Sequence, residues 1–361
     1  MGKKSYRVGI IGLGRMGSTI DDEGHTQLPY SIAASCVASE RLELAAGCDL
    51  LPERRDAFQK RWGVDALYED FRQMVAQERP DMVAVCTTAT GLQKPGREAP
   101  DPAFRGDAHA ELTTALADLQ VPMLYVEKAM ACSMRKADEV REAVVRNRTA
   151  YNTGVLRRFD NRYDAVRDAV LNGDIGQVQA AVHYGVTNLM HGHIHSIDTL
   201  SWLLGDPAIK AVRGQLDPPD LAIGDRFLAA DPNGTFELLF EGGVRGWSIP
   251  AGPWEFEIFG DRGASRSFNN GDSASLRRLP DGEGGRLWTD VDLAPVTPRS
   301  TVVCCLEDLV DCFETGRPTR GHVDVTHHVT EACLAVAESH QRGGEWVELP
   351  LQNRDLYVFH I

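Results

Sequence analysis

Val8-Gly9-Ile10-Ile11-Gly12-Leu13-Gly14-Arg15-Met16-Gly17 sets an apolar run directly ahead of three glycines spaced G-x-G-x-x-G. The run reads as a strand and the residues after it as the opening of a helix, the context in which this spacing binds a dinucleotide. Gly12 permits the tight turn, Gly14 lets backbone approach a pyrophosphate, and Gly17 lets the helix pack against the strand. Leu13, Arg15 and Met16 complete the loop, and the helix N-terminus attracts the phosphates. Asp49 closes the next apolar strand, where a carboxylate accepts hydrogen bonds from the adenosine ribose and repels a 2′-phosphate, so NAD is expected as cofactor. Arg54 and Arg55 stand nearby and keep NADP open. Asp49 lies further from Gly17 than the usual spacing of about twenty residues. The insertion Ser18-Thr-Ile-Asp-Asp-Glu-Gly-His-Thr-Gln-Leu-Pro-Tyr-Ser31 accounts for the excess.

From Arg7 to Glu127, runs such as LELAAGC, MVAVCT and PMLYVE alternate with helical periods, a βαβ rhythm. Apolar residues at nearly every position indicate strands buried on both faces. The expectation is α/β, with an N-terminal Rossmann domain of doubly wound parallel sheet over residues 1–128. Beyond Lys128, short strands punctuated by Asn233-Gly234 and Gly242-Gly243 predict an α+β domain over 129–361 with a large, mainly antiparallel sheet. Two helices, Thr301–Thr315 and Val325–Gln341, should close the fold. A second insertion, Gly91 to Asp107, follows MVAVCT and falls, like the first, where an open α/β sheet binds its ligand; it reads as a substrate-touching loop or a plain surface loop.

The 361 residues are 43% hydrophobic and 25% charged, with 38 basic against 52 acidic side chains and a net charge of -14. That balance fits a folded globular protein and disfavours nucleic acid and anionic membranes as partners. No apolar run reaches the roughly eighteen residues of a membrane span, and the start lacks a cleavage-site pattern, so the expected location is cytoplasmic. The eight cysteines contain no C-x-x-C and read as mostly buried, reduced thiols.

Glu127-Lys128-Ala129 ends the fifth strand, which brings Lys128 out at the carboxyl edge of the sheet. Further on, His191-Gly-His193-Ile-His195-Ser-Ile-Asp198 leads into a helix; if the segment is helical throughout, His191, His195 and Asp198 share one face. Together with the glycine motif and the run GVLRRFDNRY before NGDIG, these elements resemble the Gfo/Idh/MocA family of NAD(P)-dependent oxidoreductases, named for glucose-fructose oxidoreductase and inositol dehydrogenase. The resemblance covers nearly the whole length. It implies that Lys128 is the catalytic lysine, that His195 hydrogen-bonds the reacting hydroxyl or carbonyl, and that Thr87 and His109 approach the ribose and nicotinamide, with Glu127 beside them. It also implies a homodimer or homotetramer formed through the large sheet.

Two departures stand out. The family's triplet usually ends in proline where this chain has Ala129. Dehydrogenases of the family commonly carry aspartate where this chain has His191, which removes a charge that would keep a nearby lysine protonated and offers an imidazole as base. Arg157 and Arg158 alternate across an expected strand, and Arg157 is the one taken to face substrate. His191, His193 and His195 could also converge on zinc, yet no cysteine or carboxylate has the spacing of a strong site, and no metal is expected. The function expected is hydride transfer between NAD and a secondary alcohol or ketone of a sugar, glycoside or cyclitol. The alternatives are glycoside cleavage through a transient keto-sugar and a non-catalytic NAD sensor.

Overall fold

Runs that are apolar at every position form strands covered on both faces, and the first sheet is made of them. In this computed structural model, which describes residues 5–24, 26–90, 106–224, 226–280 and 287–360, β1 (Tyr6–Ile11), β2 (Leu42–Cys48), β3 (Leu67–Tyr68), β4 (Met82–Val85), β5 (Met123–Val126) and β6 (Ala150–Thr153) pair in parallel in the order β3-β2-β1-β4-β5-β6. Helices α1 (Ile32–Ala38), α2 (Pro52–Trp62), α3 (Phe71–Glu78), α4 (Ala108–Asp118) and α5 (Met134–Asn147) fill the connections. The strand order reverses between β1 and β4, which makes their carboxyl ends the place where such a sheet binds a ligand. Residues 91–105, and with them most of the second insertion, lie outside the described residues.

The chain divides into two compact units, Met1–Phe159 with Arg299–His327 and His360–Ile361, and Asp160–Pro298 with His328–Phe359. These are not the contiguous 1–128 and 129–361 of the sequence reading, and two elements explain the difference. β6 lies beyond Lys128 yet completes the first sheet, pairing Met123 with Ala150 through Val126 with Thr153. α8 (Thr301–Thr315) returns to that sheet and shares one core with it: Val302, Cys305, Leu306 and Leu309 pack in the same cluster as Val8, Ile10, Met82 and Tyr125. Polar ties flank this contact, from Arg41 Nη1 to Asp311 Oδ1 at 2.6 Å and from Ser39 Oγ to Glu307 Oε1 at 2.6 Å. Cys305 thus serves packing, and all eight cysteines are free thiols.

The second unit holds a nine-stranded sheet of β7 (Val178–Tyr184), β8 (Ile209–Asp217), β10 (Asn233–Phe240), β11 (Arg245–Ile249), β12 (Glu255–Gly260), β13 (Gly263–Phe268), β14 (Ser273–Arg278), β15 (Thr289–Val291) and β16 (Val347–Glu348). It is antiparallel except for β7 and β11, which run parallel. β9 (Phe227–Leu228) lies outside this sheet and pairs with β17 (Tyr357–Val358). With α6 (Asp164–Leu171) and α7 (Ile194–Leu203), α9 (Val323–Gln341) supplies the helices, its residues from His328 onward belonging to this unit. α9 approaches β8 closely at Gly214, where a Cβ would fall 2.8 Å from Val336 Cγ1. On the sheet, the buried carboxylate of Glu237 is matched by Arg213 at 2.5 Å and Arg245 at 2.6 Å, and Arg266 answers Glu255 at 2.5 Å; charges with so little water need such partners. Among the described residues no helix is long and apolar enough to cross a membrane.

If α8 belongs to the core of the first unit, Leu309→Ala should cost about 2–5 kcal/mol and lower the denaturant midpoint at which bound NADH fluorescence is lost. An unchanged midpoint would contradict that packing.

Candidate functional site

Gly12 follows β1 with φ +91°, a conformation that side chains rarely adopt, and its N–H donates to Cys48 O at 2.8 Å. A Cβ here would lie 2.7 Å from the Cys86 carbonyl and 2.8 Å from Thr87 N, so only glycine lets the loop after β1 touch the end of β4. At Gly17 a Cβ would meet Gly12 O at 2.1 Å. At Gly14 the neighbour within reach is the end of the Arg54 side chain, which leaves that backbone approachable.

The motif does not open a regular α-helix, as its spacing suggested. Arg15–Thr19 form a π-helical turn in which Ser18 N and Thr19 N both donate to Gly14 O, and Ile20–Glu23 continue as a 3-10 turn. The insertion interrupts the helix, and Asp21 fastens it by accepting from Tyr30 N at 2.7 Å. Leu13 is buried in the core, Met16 packs half-buried against it, and Arg15 reaches outward to Glu23 at 2.5 Å.

Asp49 is buried at the end of β2 and accepts from Leu13 N at 2.8 Å and Leu51 N at 3.0 Å. Each oxygen keeps further lone-pair capacity for ribose hydroxyls. Arg54 stands 3.6 Å from it, whereas Arg55 is bound to the Asp49 carbonyl at 2.6 Å. The Thr87 Oγ1 is a buried hydroxyl oxygen at the mouth of β4 with no hydrogen-bond partner among the described residues. A glycine loop open at Gly14, a carboxylate at the end of β2 and a hydroxyl across the switch point fit a dinucleotide.

Lys128 emerges at the carboxyl end of β5, beside β4, and is half-buried; the Lys128–Ala129 peptide is cis. The preceding Glu127 is buried, accepts from the Tyr125 hydroxyl, and lies where Gly154 leaves room: a Cβ at Gly154 would stand 2.8 Å from Glu127 Oε2. His109, on α4, is 1% exposed, with Nδ1 2.8 Å from Ala129 O and Nε2 3.0 Å from Thr87 O. Burial pushes its imidazole down to about 4. The first unit therefore draws the glycine loop, Thr87, His109 and the Lys128 turn to one edge. Arg157 and Arg158 sit in a 3-10 turn, Leu156–Phe159, and not on a strand, so the expected alternation does not hold; Arg158 is the buried one and Arg157 half-buried.

In the second unit, His191 and His193 belong to a π-helical turn, Leu189–His193, ahead of α7. The wider turn breaks the single stripe expected for His191, His195 and Asp198: His191 is exposed, His195 half-buried and Asp198 buried. Gly192 is required there, since a Cβ would overlap Thr187 Oγ1 at 1.6 Å. His193 is structural, with Nδ1 2.9 Å from Ser196 Oγ and Nε2 2.7 Å from Gly234 O. Both its nitrogens are engaged, which removes it from a histidine metal site, and among the described residues no three His, Cys, Asp or Glu are grouped to hold a metal. Asp231, which sequence reasoning passed over, accepts from Met190 N and His191 N, both at 2.7 Å. A carboxylate from the loop before β10 thus holds the backbone of the turn that carries His191. Its distance in sequence left no signal.

The model of the oxidoreductase family with the NAD-binding Rossmann fold, Gfo/Idh/MocA, matches residues 6–154. Myo-inositol 2-dehydrogenase of Thermotoga maritima is 26% identical over 171 residues, 47% of this chain and 42% of that protein. Inositol 2-dehydrogenase of Rubrobacter xylanophilus is 26% identical over 227 residues, 59% of this chain and 57% of that one. The chain spans about half the length of the curated relatives it matches. The fold continues further: aldose-aldose oxidoreductase from Caulobacter crescentus, solved with glycerol, superposes with a TM-score of 0.74 at 19% identity over 96% of this chain and 100% of its own. An Agrobacterium radiobacter oxidoreductase in complex with NAD+, L-tartaric acid and magnesium gives 0.73 at 16% identity over 96% and 98%.

Gly17→Ala should abolish NADH binding measured by fluorescence, because the methyl group displaces the Gly12 carbonyl; retained affinity would contradict the loop geometry. Burial also holds His193 near 4 against 6.5 in the unfolded chain. Between those values the folded state binds fewer protons, so this contribution, on the order of 3 kcal/mol, is present above pH 6.5 and lost as pH falls toward 4. In His193→Asn the fall of melting temperature over that range should flatten relative to the parent.

Proposed function

We propose that the protein is an NAD-dependent oxidoreductase that moves hydride between the nicotinamide and a secondary alcohol or ketone of a sugar, glycoside or cyclitol. The observation that carries this is Lys128 at the carboxyl end of β5, beside the β1–β4 switch point where the family-matched glycine loop lies. The inositol 2-dehydrogenases among its relatives favour a cyclitol.

NAD, when bound, supplies the hydride acceptor. Gly12 to Gly17 would hold its pyrophosphate and Asp49 its adenosine ribose, and Thr87 would offer its hydroxyl at the mouth of β4. Arg54 beside Asp49 is the group that would meet a 2′-phosphate if NADP were used. Lys128 Nζ takes the proton of the substrate hydroxyl as the carbinol is oxidised, and returns it in the reverse direction. His195 hydrogen-bonds the reacting oxygen. His191 and Arg157 contact the substrate. A positioned base of this kind contributes about a hundred- to ten-thousandfold. On the same reading, the nine-stranded sheet serves as the subunit contact of a homodimer or homotetramer, and the enzyme works in the cytoplasm.

With myo-inositol and NAD as the first pair in a screen of cyclitols, sugars and glycosides, NADH absorbance should rise. Lys128→Ala should remove turnover by about a hundredfold or more while leaving NADH fluorescence titration unchanged. Turnover that survives this substitution would overturn the assignment of Lys128. Release of aglycone from a glycoside without NADH accumulation would replace net oxidation by redox-neutral cleavage.

A further inference from the structure

The four residues after Lys128, Ala129 to Cys132, are all 0% exposed. Peptide groups buried this completely require partners, and side chains supply three of them. Cys132 N donates to Asp107 Oδ2 at 2.6 Å. The Ala129 carbonyl faces His109 Nδ1 at 2.8 Å, and the Lys128 carbonyl faces His360 Nε2 at 3.4 Å. Asp107, His109 and His360 are themselves 0%, 1% and 1% exposed. Asp107 has a second task as N-cap of α4, accepting from Ala110 N at 3.3 Å. His109, two residues on, has its other nitrogen 3.0 Å from the Thr87 carbonyl. The same two residues at the start of α4 therefore grip the Lys128 turn.

We propose that Asp107, His109 and His360 are positioning residues that fix the backbone of the Lys128 turn and thereby the reach of the Lys128 amine. This rests on the reading of Lys128 as the proton-accepting residue. With the carbonyls of residues 128 and 129 and the amide of residue 132 each tied to a buried group, the turn cannot rock, and the amine moves only through its own side-chain torsions. A displacement of about 1 Å at a reacting group costs about a hundredfold in rate, so the ties matter although none of the three residues needs to meet substrate. We assign the proton of neutral His109 to Nδ1, whose carbonyl contact is the shorter. Asparagine can place a donor near that position and alanine cannot.

The test uses the full chain and its variants His109→Ala, His109→Asn and Asp107→Ser. Serine keeps a cap for α4 but is too short to reach Cys132. Competitive acetylation followed by peptide mass spectrometry gives the labelling of Lys128 relative to Lys60, which is exposed on α2. In His109→Ala and Asp107→Ser the Lys128 to Lys60 ratio should rise about fivefold or more as the turn opens locally. His109→Asn should keep the parent ratio. Turnover of myo-inositol should follow the same order, with kcat falling and KM for the cyclitol little changed. Unchanged labelling in both disruptive variants, or His109→Asn behaving like His109→Ala, would overturn the proposal. Failure of Lys128→Ala to stop turnover would instead overturn the catalytic reading, and the labelling ratios stand apart from it.

Discussion

The first unit depends on a backbone contact that side chains would forbid: Gly12, at the end of β1, against Cys86 and Thr87 at the end of β4. The reversal of strand order puts these two ends side by side. The missing Cβ of Gly12 lets them close to atomic contact, and the missing Cβ of Gly17 lets the following turn fold back over Gly12 O. From that contact the other features fall into place along one edge. Asp49 is bound to the loop amide of Leu13, Thr87 presents its hydroxyl, and Lys128 issues from the strand next to β4.

Burial sets the chemistry of this edge more than net charge does. The molecule carries -14 overall, yet the groups nearest the Lys128 turn are controlled by how little water reaches them. Burial holds the His109 imidazole neutral and pushes the Asp107 carboxyl up to about 7. In the second unit the same economy of water makes Glu237 and Glu255 take arginine partners. There, Asp231 spends its carboxylate on two backbone amides of the turn that carries His191.

Much of the first sheet was legible because its strands are continuous apolar runs and its glycine motif has a fixed physical purpose at each position. The lysine at the end of the fifth strand was legible for the same reason. Contacts between residues distant in sequence were not. α8 reads as an ordinary amphipathic helix, and nothing in its pattern says which sheet its Leu306 and Leu309 cover. The π turns at Arg15–Thr19 and Leu189–His193 escaped because periodicity assumes an α-helical turn. Arg157 and Arg158 were misread as strand residues because a 3-10 turn of four residues has no period to detect. Asp231 and His360 had no local motif at all, and their positions follow only from the folded chain.

The central claim is that this glycine loop and lysine serve direct hydride transfer from a carbinol carbon. It is tested most directly with myo-inositol deuterated at its ring carbons, incubated with NAD and the protein, and mass spectrometry of the cofactor. The account predicts reduced nicotinamide one mass unit heavier, carrying the ring deuteron. A ketone product with unlabelled cofactor, or a cofactor that stays oxidised throughout, would contradict it.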